Sequence, residues 1–151
     1  MALKELISND MKTALLGGHR FEGDTLRNLK AAILNEEVAQ NKRETGLSDA
    51  EVEAIIAREV KKRRESIALY EANGRQELAQ AEKDEVAVLE KYLPEQLSEA
   101  DLGKLVDAKI DALGVSGPQA MGQVIGAVKK DVGNSADGAM LARLVKDALN
   151  K

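Results

Sequence analysis

The side chains that usually perform covalent or acid–base chemistry are scarce in this sequence. The chain contains no cysteine and a single histidine, His19, so thiolate catalysis, disulfides and cysteine-type zinc sites are excluded. A lone histidine builds neither a Ser-His-Asp triad nor a two-histidine metal site. His19 follows Gly17 and Gly18 in a predicted loop, where a solvated imidazole is the simpler interpretation. We therefore expect no metal ion and no catalytic residue.

Phosphate-binding loops and paired catalytic carboxylates are not indicated either. The glycines lack the spacing of a GxGxxG or GxxxxGK[ST] loop, and no convincing strand precedes them. No nucleotide, and no other cofactor, is therefore expected. Carboxylates are abundant, but they mostly alternate with lysine and arginine on the predicted outer faces of helices, which is typical of a solvated surface. Catalysis by a carboxylate pair stays open, without support from any motif.

The one conspicuous basic cluster is the run Lys-Lys-Arg-Arg at 61–64. On a helix, Arg63 lies three residues after Val60 and four before Ile67, so it falls on the inward apolar stripe. An inward arginine needs a carboxylate partner, because an unpaired buried charge is costly. Glu37, on the inward stripe of the preceding helix, is the candidate for a structural ion pair. The alternative is that the cluster contacts phosphates.

Two glycines and a lysine share one flank of a predicted helix near the C-terminal end. Gly122 and Gly126 are one helical turn apart, and Lys129 projects near the same edge. The apolar residues of this helix, on its other face, are Met121, Val124, Ile125, Val128 and Val132. Bare backbone on the flank lets a phosphate backbone or a neighbouring helix approach closely. The alternative is that the glycines only allow tight packing between helices.

Two helix starts carry a capping signal that sets the frame for these residues. Ser48 and Glu51 have the spacing of a capping box, and Leu47 is placed to staple onto the helix that follows. Ser98 repeats the pattern with Asp101 in the reciprocal position. These caps predict helices that begin near residues 49 and 99.

Apolar periodicity predicts four helices before residue 94. The first spans about 3–15 and stops at Gly17. The second is expected to be capped by Asp24 and to run to about Gly46. The third extends from the cap at 48 to about 73, where Gly74 ends it, and the fourth covers about 78–89.

The dipeptide Leu93-Pro94 marks a boundary, since a residue before proline is biased away from helical dihedrals. Beyond it, shorter and more glycine-rich helices are predicted over about 101–113, 118–132 and 138–149, with Pro118 in a first-turn position. With three aromatic residues and an abundance of helix formers, the fold class is all-α. We expect a four-helix platform domain of long helices over 1–94 and a three-helix tail domain over 95–151.

The charge balance argues against a generic, high-affinity nucleic-acid binder. The net charge is −4, with 15 basic against 18 acidic residues before Pro94 and 7 against 8 after it. No DNA partner is expected. The first residues are amphipathic instead of continuously apolar, so we expect no secretory signal, no membrane anchor and no membrane partner. The expected compartment is the cytoplasm.

An ordered set of short motifs resembles the YqeY family along nearly the whole chain. The motifs are residues 26–33 (LRNLKAAI), 62–67 (KRRESI), 74–75 (GR), 90–94 (EKYLP), 121–122 (MG) and 136–138 (ADG). The family is similar to the C-terminal helical and tail domains of the B subunit of the bacterial aspartyl/glutamyl-tRNA amidotransferase. Asn134 and Ser135 stand where relatives usually place glycine and then a basic residue.

The resemblance implies a tRNA-binding or accessory module. In the amidotransferase the tail engages tRNA, and a separate catalytic domain, which this chain does not resemble, carries the chemistry. The resemblance places an RNA-facing surface near Met121, Gly122, Lys129, Lys130, Asp137 and Gly138, beside the Gly126 position of the bare flank. Asp137 has a simpler interpretation as the cap of the last helix.

Three functions are thus under consideration. The leading hypothesis is a module that binds tRNA, or tRNA-amidotransferase subunits, through the tail, with no chemistry of its own. The alternative is a protein–protein interaction module without RNA binding. The third is a carbon–nitrogen ligase with glutamine as amido donor, the family-level label, for which no nucleophile, ammonia channel or nucleotide loop is assignable.

Overall fold

The computed structural model describes residues 2–151, and within that range the chain is all-helical, with no strand. Seven α-helices are present: α1 (Leu3–Leu16), α2 (Arg20–Ala39), α3 (Asp49–Ala72), α4 (Gln76–Glu90), α5 (Glu99–Leu113), α6 (Met121–Val132) and α7 (Gly138–Leu149). Short 3-10 turns at Pro118–Ala120 and Gly133–Ser135 flank α6. The all-α prediction is confirmed.

The chain divides into two compact units, one ending at Leu93 and the other spanning Pro94–Lys151. The first contains α1 to α4 and the second α5 to α7. The boundary expected from the sequence, between 94 and 95, differs from this division by one residue.

Each unit has its own apolar core. In the first, α1 pairs with α2 and α3 with α4, and the buried residues are Ile7, Leu26, Leu29, Ile33, Val52, Ile55, Ile56, Val60, Val86, Val88 and Leu89. In the second, the three helices enclose Leu102, Val106, Ala120, Val124, Val128, Leu141, Val145 and Leu149. Both sets recur at helical spacing, which is why an amphipathic sequence buries them together.

The predicted caps form. The Ser48 hydroxyl accepts a hydrogen bond from the Glu51 N–H at 3.2 Å, and the Glu51 carboxylate accepts one from the Ser48 N–H at 2.9 Å, which completes the capping box. The Ser98 hydroxyl accepts from the Asp101 N–H at 3.1 Å. Lys42 donates to Glu51 at 2.6 Å and, with the Ser48 N–H, lowers the pKa of that carboxyl.

The limits predicted for α2 are wrong at both ends. The helix begins at Arg20, so Asp24 lies inside it instead of capping it. It ends at Ala39, because Asn41 adopts a left-handed φ of 57° and the chain turns into a loop before Gly46. The carbonyl of Glu37 accepts the Lys42 N–H at 2.7 Å and so closes the turn.

The predicted ion pair between Arg63 and Glu37 is also wrong in its partners. Glu37 is buried, with 1% of its side chain exposed, and binds Lys4 of α1 through both carboxylate oxygens at 2.8 and 2.9 Å. Arg63 is inward, as expected, at 13% exposed, and its Nε donates to Glu85 of α4 at 2.7 Å. Each of these side chains pairs with a residue of the neighbouring helix, because α2 packs against α1 and α3 packs against α4.

Candidate nucleic-acid interface

The flank of α6 that carries the candidate residues is defined by what the helix buries. Val124 and Val128 are fully enclosed by α5 and α7, and Ile125 and Val132 are partly buried against the same core. A helix anchored along one side presents its opposite side to solvent. Met121 also packs against this core, so its side chain stabilises the tail and does not belong to the outer flank.

Gly122 and Gly126 form an open strip of backbone on the exposed flank. Both are exposed, and a Cβ built on either glycine has no atom within 4 Å among the residues described. Tight packing within the tail, the alternative left open by the spacing, is therefore not what these glycines provide. We call Gly122 and Gly126 with Lys129 and Lys130 the glycine strip.

Two lysines flank the open backbone. Lys129 and Lys130 follow Gly126 by three and four residues, so on a helix they stand one turn further along on either side of it. Both are exposed, and neither forms an ion pair with any residue in 2–151. The strip thus combines two free cations with main chain that a ligand can approach.

Two other cations of the tail are paired with carboxylates. Lys109 binds Asp131 at 2.6 Å and lowers the pKa of that carboxyl, and Arg143 binds Glu99 at 2.7 Å. Asp131 is adjacent to Lys130 in sequence and pairs across to α5 with Lys109; the charge of Lys130 contributes a smaller part of the lowering of its pKa.

The turn before α7 has a structural explanation. The Asp137 carboxylate accepts the Ala139 N–H at 3.2 Å and caps α7, and Gly138 is the exposed first residue of that helix. The carbonyl of Ser135 accepts the Leu97 N–H at 2.8 Å, which ties the turn to the beginning of the tail. Asp137 therefore fixes the start of α7, and its negative charge gives no attraction for phosphate.

A groove between α5 and α6 is a feature that the sequence interpretation missed. It has a volume of about 260 Å³ and is lined by Leu105, Ala108, Ala112, Val128 and Val132, with the Lys109–Asp131 ion pair across it. The spacing of its α5 residues, at 105, 108 and 112, is that of one helical face, so a second apolar stripe on α5 was the available signal.

Metal and membrane sites are not seen in the part of the chain that the structure describes. Within residues 2–151, no group of three or more histidine or acidic side chains is placed to hold a metal ion. None of the seven helices there has both the length and the apolar composition needed to cross a membrane.

The fold and the strip define an all-helical protein of two units with a small, partly cationic tail. The model of the Yqey-like protein family matches residues 4–149, and the chain belongs to this family. Among curated proteins it is similar to "Altered inheritance of mitochondria protein 41, mitochondrial" of Saccharomyces cerevisiae, strains RM11-1a and S288c. Each is 30% identical over 118 residues, which cover 74% of this chain and 60% of the relative. The match thus spans less than two thirds of these relatives' length.

Proposed function

We propose that this protein is a tRNA-binding or tRNA-amidotransferase-associated accessory module whose glycine strip contacts the phosphate backbone of RNA. The observation that carries the proposal is the strip itself: open main chain at Gly122 and Gly126 beside two unpaired lysines. Family membership supports it, because the family is similar to the tail with which the amidotransferase engages tRNA. The proposed partners are tRNA and the amidotransferase subunits, and no catalytic role of its own is proposed.

The mode of contact follows from the side chains available. Lysine ammonium groups attract phosphates without regard to sequence, and glycine removes the Cβ that would hold a sugar–phosphate backbone away. From Ser98 onward the tail has no aromatic residue on which a base can stack. With few cations, binding is expected to be weak and to fall with salt.

The proposed compartment is the cytoplasm. The yeast relative bears a mitochondrial name, which describes that protein and not this one.

Charge reversal on the strip tests the proposal. The double variant K129E/K130E removes both free cations, while the control K104E/K146E makes the same change in net charge at two other exposed lysines of the tail. Binding of total tRNA is measured by filter retention across a range of salt concentrations. We expect the strip variant to lose affinity and to reduce the slope of log K against log salt by about 2, one for each phosphate contact. Equal effects of the two variants would refute a specific strip.

A neutral substitution separates access from charge. G126Q covers the open backbone with a polar side chain and leaves the lysines in place. We expect lower tRNA affinity without a lower melting temperature, because glutamine has a higher helix propensity than glycine and meets no atom within 4 Å. Unchanged affinity would show that the backbone of α6 is not approached.

A protein-docking module without RNA binding is the second candidate, and the groove between α5 and α6 favours it. Leu105 lines this groove and is 42% exposed, beside Ala108 and Ala112. The variant L105E would abolish docking of a protein partner and leave tRNA retention intact. If partners survive nuclease treatment and are lost from L105E, docking is the better description.

A further inference from the structure

The first unit contains the aromatic side chain that the tail lacks. Of the three aromatic residues in the chain, Tyr92 is partly buried and donates its hydroxyl hydrogen to Asp10 at 2.6 Å, and Tyr70 is partly buried on α3. Phe21, at the start of α2, is 47% exposed. Phe21 is therefore the aromatic ring with most surface available to a ligand.

The neighbours of Phe21 are of the types that bind nucleotides. His19, Arg20 and Phe21 are consecutive and all exposed, and the Arg20 side chain is 89% exposed. Phenylalanine, histidine and arginine are the planar side chains on which unpaired RNA bases stack.

The acidic neighbour does not neutralise this group. Asp24 is shared between Arg20 at 3.8 Å and Arg27 at 3.6 Å, so one carboxylate faces two guanidinium groups. Both contacts are long and exposed, and helix pairs of this kind contribute only a few tenths of a kcal/mol in general. A phosphate competes with such a carboxylate easily.

The turn itself gives access. Gly17 and Gly18 join α1 to α2, and a Cβ built on Gly18 has no atom within 4 Å. Gly18 adopts a φ of 82°, a conformation that suits glycine, and it adds no side chain of its own to the turn. A nucleotide is therefore able to reach the His19–Phe21 segment without displacing another part of the first unit.

We infer that His19, Arg20 and Phe21 form a stacking site for unpaired RNA nucleotides, with Arg27 contributing a phosphate contact. The choice of RNA as ligand rests on the proposed function, but the site does not use the glycine strip. The two sites would contact different parts of the RNA. The glycine strip presents cations and backbone to phosphates, and the α1–α2 turn presents planar side chains to bases.

A tryptophan at position 21 reports on stacking directly. The chain has no tryptophan, so the fluorescence of the F21W variant arises from this position alone. The variant is titrated with a 12-nucleotide single-stranded oligoadenylate and with a blunt RNA duplex of the same length. We expect saturable quenching by the single strand and little by the duplex. Binding of the single strand to F21W is also followed independently by anisotropy. Saturable binding in that measurement without quenching of the tryptophan would overturn the inference.

An alanine pair gives the matched affinity measurement. F21A is expected to weaken oligoadenylate binding about tenfold, the size of effect that loss of a stacking aromatic typically causes. L69A removes a leucine that is 66% exposed at the end of α3 and is expected to bind like the parent protein. Equal affinities for F21A and the parent protein would contradict the site, with circular dichroism used to confirm that both variants are folded.

The outcomes separate this site from the tail. Quenching of F21W with no specific effect of K129E/K130E supports the stacking site and refutes the proposed strip. The reverse result refutes the stacking site and keeps the strip. Leu16, in the same turn, is 91% exposed. A blue shift of the F21W emission on vesicles of anionic phospholipid, without quenching by oligoadenylate, would assign the turn to a lipid surface and overturn the inference.

Discussion

Glu37 shows how a single buried carboxylate fixes both the chain that follows it and the helix beside it. Its side chain binds Lys4 through both oxygens and accepts the Leu47 N–H at 3.3 Å. The loop 40–47 and the beginning of α1 therefore depend on one side chain. The two partners of the ion pair differ in exposure, since Lys4 is partly exposed and Glu37 is buried.

This asymmetry predicts that K4M is more destabilising than E37Q. K4M leaves a buried carboxylate without its cation, which costs about 3 kcal/mol, at the low end of the usual range because Lys4 reaches solvent. E37Q removes the charge but keeps an acceptor for Leu47, for a loss of about 1.5 kcal/mol. Urea unfolding measures both free energies, with K12M, exposed on the same helix, as the control. The opposite order would show that desolvation of Glu37 dominates.

Glu82 is a carboxyl placed against a repulsive neighbour, and its removal is expected to stabilise the protein at neutral pH. Burial raises the pKa of Glu82, the charge of Glu85 raises it further, and Arg63 and Lys62 oppose the shift. A raised folded-state pKa means that stability from this group is present at low pH and is lost as the pH rises through that pKa.

The measurement is a thermal melt of E82Q against the parent chain at pH 7 and at pH 4. We expect a higher melting temperature for E82Q at pH 7, and a difference that shrinks at pH 4, where the parent carboxyl becomes protonated. E77Q, an exposed position on α4, makes the same change in net charge. A gain from E82Q that is equal at both pH values, or matched by E77Q, would contradict this explanation.

At the level of single residues, the sequence predicted positions better than partners. The i±3 and i±4 spacing placed Arg63 on the inward side of α3, which the structure confirms. The choice of Glu85 over Glu37 depends on which helices pack together, and this is not encoded in the periodicity of any one helix. Glu59, four residues before Arg63 on α3, pairs with it within the same helix. The exposure of Phe21 was likewise hidden, because α2 begins at Arg20 and not at Asp24.

Helices α2 and α6 each contain glycines, and the two helices use them for opposite purposes. Gly23 of α2 is buried, and a Cβ built there lies 2.4 Å from Cδ2 and 2.6 Å from Cγ of Leu15. The glycine therefore permits the close approach of α1 and α2. A Cβ built on Gly126 of α6 has no atom within 4 Å.

The same substitution should consequently have opposite signs at the two sites. G126A is expected to stabilise the protein by about 0.5–1 kcal/mol through helix propensity alone. G23A gains the same propensity but must displace Leu15, and overpacking of about 1–3 kcal/mol makes the net effect a loss. Denaturant unfolding of the two variants tests the contrast. A stabilising G23A would mean that Leu15 moves aside freely.

Helix ends with a local signal were among those that the sequence predicted correctly. Ser48, Ser98 and Asp137 are N-caps in the structure, and Gly74 and Gly114 follow helix ends in left-handed conformations. Such signals act within one turn of the helix, so they are readable without knowledge of the fold. The start of α2 has no side-chain cap, whereas Asp24, a cap-type residue, lies inside the helix, and this false signal explains the error there.

At the scale of the whole molecule, the free cations of the two units are arranged differently. In the first unit, most basic residues of α3 and α4 are paired. Arg64 binds Glu90, and Lys83 binds Glu71 at 2.6 Å. In the tail, Lys129 and Lys130 are adjacent and, like Lys104 and Lys146, form no ion pair within the described residues. An acidic protein thus keeps a local positive surface that its net charge conceals. Composition predicted the sign of the net charge, whereas the positive surface at Lys129 and Lys130 is visible only from the ion pairs in the structure.

The separate cores predict that the segment Pro94–Lys151 folds on its own. Its buried residues come from α5, α6, α7 and the 3-10 turn before α6, and the hydrogen bond from the Leu97 N–H to the Ser135 carbonyl closes the unit from within. A domain of about 60 residues buries only about 60% of its unfolded surface, so its stability is expected to be low.

The isolated segment should therefore give a helical circular dichroism spectrum and a cooperative thermal transition. V124A, at a fully buried position, should lower the free energy of unfolding of the segment by about 2 kcal/mol, because it leaves a cavity in the core. In so small a core this loss should leave much of the segment unfolded before heating. Q123A, exposed one residue earlier on α6, should change the midpoint little. A segment that melts without cooperativity would show that α5 to α7 need the rest of the chain to fold. The glycine strip would then have to be tested in the full-length protein only.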